Sequence, residues 1–155
     1  MIRILFSLLL TTSLLSANHA FANSADTLRA GYRDSIKFVL KNIATIKDSQ
    51  VIEYCLPTTT AESHIYFSLD YEKEFSPGFR ALQQKMIRYS ITGNTKLLKK
   101  YLYLSEYVDG YFVDDYVAAV EKIARANIVS YCNVLKDCDP QKIKNLVEIN
   151  AEYCR

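Results

Sequence analysis

The side chains that could do chemistry in this chain are few, and their spacing points away from catalysis. Its 155 residues include two histidines, His19 and His64. His64 sits in the run Glu62-Ser63-His64. Adjacent residues on a helix point in different directions, so these three do not form a nucleophile–base relay. A surface or capping histidine is expected instead. Acid pairs occur at Asp114-Asp115 and at Glu72 with Glu74. Two carboxyls working as acid and base must face each other across a substrate. Sequence neighbours diverge on a helix, so solvated faces are expected here as well. The spacing of Asp109, Asp114 and Asp115 is not that of a calcium loop, and there is no phosphate-cradling glycine loop. The four cysteines contain no C-x-x-C pair to start a zinc site. No catalytic residue, metal or cofactor is expected.

One stretch stands out for recognition rather than reaction. From Lys99 the chain reads KKYLYLSEYVDGYFVDDYV. Five of the chain's 12 tyrosines lie in it: Tyr101, Tyr103, Tyr107, Tyr111 and Tyr116. Glu106, Asp109, Asp114 and Asp115 are interleaved. Asp109-Gly110 reads as a turn between helices, which presents part of the cluster at a tip. Tyrosine joins a large contact area to a polar end, with few rotors to freeze, and it is enriched at binding hot spots. Tyr101 and Tyr116 have helical spacing and are expected in the core. Tyr103, Tyr107 and Tyr111 cannot all face that same core. The expected partner-binding surface is therefore Tyr103, Glu106, Tyr107, Asp109, Tyr111, Asp114 and Asp115.

The address of the protein is written at its start. A basic Arg3 precedes an apolar run from Ile4 to Leu15, and Ala20-Phe21-Ala22 follows with the small-x-small pattern of a signal-peptidase site. The run is shorter than the roughly 20 apolar residues of a membrane span. Residues 1–22 are thus expected to be a cleaved secretory signal, leaving one domain, residues 23–155, in the periplasm or outside the cell. Lys+Arg is 19 against Asp+Glu 17 in the whole chain, and removing the leader takes Arg3 with it. A nearly neutral mature chain has no electrostatic preference for nucleic acid or an anionic membrane.

The elements that must position these groups are helical almost throughout. Leu28, Tyr32, Ile36, Val39, Ile43 and Ile46 step by three or four along one helix face. A short helical turn is expected from Val51 to Leu56, ended by Pro57. Thr59 with Glu62 fits a capping box. Ser76-Pro77 starts the next helix, with Ser as N-cap and Pro at the first position. Thr92-Gly93-Asn94 breaks it, and a further helix runs to Asp109-Gly110. The longest helix is expected from Phe112 to about Val134, and Asp139-Pro140 opens the last. The pattern predicts an all-α fold, a single small bundle of about six helices.

An exported chain with an even cysteine count suggests disulfides, and reach selects among the three pairings. Cys138 and Cys154 flank the last helix, which holds them roughly 20 Å apart, too far for a bridge. In an antiparallel hairpin of the last two helices, Cys132 sits near the turn and Cys154 at the far end. The expected bridges are therefore Cys132–Cys138 and Cys55–Cys154.

Two function classes fit. The first is a binding module that recognises another protein of the cell envelope. The second is a secreted enzyme or effector with an unrecognised site. In layout the chain resembles the periplasmic immunity proteins that neutralise type VI secretion amidase effectors: a cleavable signal, a short helical domain, and cysteines gathered near the C-terminus at Cys132, Cys138 and Cys154. The resemblance implies an inhibitor, dimeric in some forms, that blocks the cleft of a peptidoglycan-cleaving toxin. Small periplasmic chaperones and lysis inhibitors share the same outline.

Overall fold

The computed structural model describes residues 29–154. The expected signal peptide and its cleavage before Asn23 lie outside the described residues. Within them the fold is all-α, with eight α-helices and two short 3-10 turns. The helices are α1 (Tyr32–Asn42), α2 (Ser49–Tyr54), α3 (Thr60–Tyr71), α4 (Ser76–Ile91), α5 (Thr95–Tyr103), α6 (Phe112–Ala126), α7 (Ile128–Lys136) and α8 (Val147–Tyr153). None is long and apolar enough to cross a membrane.

Local sequence explains most starts. Asp48, Thr59 and Asn94 each accept a backbone N–H from the first turn of α2, α3 and α5, satisfying donors a helix start leaves open. Only half of the capping box forms. The Thr59 hydroxyl caps the N–H of Glu62, but Glu62 reaches past Thr59 to the N–H and hydroxyl of Thr58. Its other carboxylate oxygen accepts from the backbone N–H and guanidinium of Arg29, at 3.0 and 2.6 Å. Ser76 lies inside α4 rather than capping it; Phe75 is the N-cap.

α4 is the central post, packed against α1, α2, α3, α5 and α6. Its buried stripe is Phe79, Leu82, Met86 and Ser90, facing Leu69, Leu97, Leu98 and Val120 in one continuous core. Tyr101 and Tyr116 are buried there as expected, and the Tyr116 hydroxyl donates to the carbonyls of Tyr101 and Leu102. Gly78 is where α1 approaches most closely: a Cβ there would clash with the carbonyl group of Leu40. Gly78→Ala should therefore destabilise the fold. Ala gains about 1 kcal/mol over Gly in a helix, but overpacking costs about 1–3 kcal/mol, and backbone atoms cannot rotate away. Urea denaturation checks the sign, and a more stable variant would contradict this packing.

Two expectations for the C-terminal third are overturned. The long helix from Phe112 divides at Asn127 into α6 and α7. The Asn127 side chain accepts from the N–H of Ser130 and donates to the carbonyl of Ile91 on α4, so a tertiary bond holds the break. Asp139-Pro140 opens a turn rather than a helix. Cys138, Ile143 and Leu146 are buried while Asp139, Pro140 and Gln141 are exposed, so residues 137–143 cross the face of the core, followed by a 3-10 turn at Lys144–Leu146 and the short α8.

The disulfide expectations fail with that layout. The bridge is Cys132–Cys154, with Cα atoms 5.5 Å apart, and Cys55 and Cys138 are free and buried. Neither Cys132–Cys138 nor Cys55–Cys154 forms. The last segment is not one rod, so α8 lies back against α7 and brings Cys154 beside Cys132.

Candidate functional site

The tip after α5 is built by short-range bonds and two tethers. Leu104–Glu106 forms a 3-10 turn, and the N–H groups of Tyr107 and Val108 both donate to the carbonyl of Leu104. Gly110, at φ 49°, takes the left-handed turn that lets α6 start at Phe112. The Ser105 hydroxyl donates to the Lys142 carbonyl at 2.6 Å, and the Asn145 amide donates to the Ser105 carbonyl at 2.8 Å. These bonds hold the tip against the crossing segment.

The residues expected to form one surface occupy three places. Glu106, Tyr107, Asp109 and Tyr111 share a groove of about 670 Å³ with His64 and Tyr71 of α3. Tyr103 turns to the other side. Its hydroxyl accepts from the Asp139 N–H at 3.1 Å, and Lys142 and Lys99 lie 5.3 and 6.0 Å from its ring centre. Tyr103 therefore lies on a lysine-rich flank, in a separate groove that it shares with Glu106 and Tyr107, while Asp109 and Tyr111 line only the first. Asp115 sits at the lip of a second cavity between α3, α4 and α6, and Asp114 is exposed on α6.

The centre of the surface is an aromatic ridge. Tyr71 and Tyr111 are 68% and 70% exposed, and their rings lie 6.2 Å apart. Both pack edge-on against Phe112, at 5.6 and 5.5 Å, and Phe112 rests on Phe67 at 4.8 Å. Tyr71 and Phe67 were not anticipated. They stand four apart on α3 and so share a face, apart from the buried Leu69; that second apolar face is the signal that could have found them. Around the ridge, Glu106 lies 3.8 Å from Lys142. Among the described residues, Asp109, Asp114 and Asp115 hold no ion pair.

Glu62 and Ser63 are engaged by neighbouring groups, and both free thiols are buried. The Ser63 hydroxyl donates to the Thr60 carbonyl, Glu62 is held by Arg29 and Thr58, and His64 faces solvent. Burial pushes the Cys55 thiol up to about 12, against the nearby Arg29, and raises the Cys138 thiol as well. Neither is a ready thiolate. Glu72 and Glu74 pair with Lys37 and Lys41 rather than with each other. Among the described residues no group of His, Cys, Asp and Glu could hold a metal ion. Compared with family models, curated proteins and solved structures, the chain matches none.

Proposed function

We propose that this chain is a protein-binding module of the cell envelope, an inhibitor that seats its aromatic ridge in the cleft of a cell-wall-degrading hydrolase. The observation that carries this reading is the pair of solvent-facing tyrosines, Tyr71 and Tyr111, converging from two elements on Phe112. Two large rings left two-thirds exposed, side by side, expose apolar surface that a partner would bury. Asp109 and Glu106, which line the groove beside the ridge, give it an acidic border, complementary to a partner with a basic rim. The Cys132–Cys154 bridge suits an oxidising compartment. The layout shared with immunity proteins to amidase toxins makes a peptidoglycan amidase the partner to try first.

The test is binding to, and inhibition of, a cell-wall hydrolase encoded next to this chain's gene. Truncating a buried aromatic anchor costs at least about 2 kcal/mol of binding, roughly 30-fold in Kd. Tyr71→Ala and Tyr111→Ala should each weaken binding by that much, with melting nearly unchanged, because both rings face solvent in the free protein. Asp109→Lys should slow association and flatten its salt dependence. Wild-type affinity in all three variants would place the interface elsewhere.

A further inference from the structure

Behind the ridge lies a cavity of about 420 Å³ between α3, α4 and α6, floored by the end of α5. Its walls carry five aromatic rings, Phe67, Phe79, Phe112, Tyr101 and Tyr116. Two carboxamides line it, Gln83 and the more exposed Gln84, and Gln83 has bonding capacity to spare. The Gln83 amide donates to the Tyr66 hydroxyl at 2.8 Å, and its oxygen accepts from the Tyr101 hydroxyl at 3.3 Å. A carboxamide has two N–H donors and two lone pairs. One of each is therefore without a partner among the described residues.

The mouth is charged but balanced. Asp70 and Asp115 stand with Arg80 and Lys122. Asp70 and Arg80 are bridged through the Ser76 hydroxyl, at 3.2 and 3.1 Å. Asp115 and Lys122 lie two turns apart on one face of α6. Two acids offset two bases, so the mouth selects for no ionic ligand.

We propose that this cavity binds an uncharged, planar aromatic small molecule of one or two rings carrying a single hydroxyl or carbonyl. The volume lies at the lower end of the range for small-ligand sites, which are apolar clefts with a few placed polar groups. The rings of the wall offer edge and face contacts to a planar guest, and the spare Gln83 positions take its one polar group. This inference does not depend on the inhibitor reading, since Tyr71 and Tyr111, the rings that carry that reading, do not line the cavity, although Phe67 and Phe112 beneath them do.

Calorimetric titration of the purified protein with 1-naphthol, naphthalene and 1-naphthalenesulfonate tests it. The expected result is saturable binding of one 1-naphthol per chain. Naphthalene should bind roughly five-fold more weakly for want of the hydrogen bond, and the sulfonate should bind no more tightly than naphthol. Ala118→Trp on α6 and Ile87→Trp on α4 fill the cavity from two different helices, and each should weaken naphthol binding at least ten-fold. Should one of them unfold, the other decides. Absence of saturable binding would overturn the proposal, as would wild-type affinity in a folded tryptophan variant. Naphthalene binding as tightly as naphthol would overturn the role given to Gln83, and tighter sulfonate binding would overturn the neutral mouth.

Discussion

Replacing Glu62 with alanine is expected to lower the unfolding free energy by about 3 kcal/mol, near the lower end for removing one partner of a buried ion pair. The Glu62 side chain is fully buried, and the Arg29 side chain is 27% exposed, which places the expectation at that lower end. Four hydrogen bonds converge on this carboxylate, two from Arg29 and two from Thr58. Without it, the guanidinium keeps its bond to the Leu56 carbonyl, but the Thr58 N–H and hydroxyl lose their acceptor. Burial alone would raise the Glu62 carboxyl above its ordinary 4.5, but the bonds from Arg29 and Thr58 outweigh it and hold the group lower. Glu53 behaves alike: burial raises it, and Lys100 and Lys96 more than compensate. A carboxyl whose folded pKa is depressed stabilises the fold above its unfolded pKa, and that contribution fades as pH falls through the folded value. Stability should therefore decline below about pH 4.5, and the decline should be shallower in Glu62→Gln. Urea titrations at pH 7 and pH 3 check both statements. A loss under about 1 kcal/mol for Glu62→Ala would show that the cluster does not hold the fold's N-terminal edge.

Removing the bridge with Cys132→Ser should cost about 3 kcal/mol, from the loop-closure entropy of its 22-residue separation. The N-terminal helices, which it does not tie, should keep their order. Non-reducing peptide mapping should recover a Cys132–Cys154 pair and two free thiols, at Cys55 and Cys138. Those thiols should react with alkylating reagents only after unfolding, because both are buried with raised pKa values. Recovery of a Cys55–Cys154 peptide would contradict the C-terminal path described above.

The helical period, the cap at Thr59, the break at Thr92-Gly93-Asn94, and the burial of Tyr101 and Tyr116 were legible because each depends on residues a few positions apart. What was not legible depends on distant partners. Nothing near Asn127 breaks a helix as proline would; the break is held by the Ile91 carbonyl, 36 residues away. Asp139-Pro140 carries a strong start signal, yet the burial of Ile143 and Leu146 pins that segment along the face of the core. The wrong disulfide pairing followed from treating it as a rod. In the tip, composition alone grouped Tyr107, Asp109 and Tyr111, which line one groove. Tyr71 was missed because it joins them only through the packing of α3 against the start of α6.

Site-specific photocrosslinking in the producing cells tests the ridge most directly. A photoreactive phenylalanine at position 111 or 71 should yield one discrete adduct with a cell-wall hydrolase. The same probe at Val129, which is 69% exposed on α7, should yield none. A hydrolase adduct from position 129, with none from 71 or 111, would contradict the ridge as the binding surface.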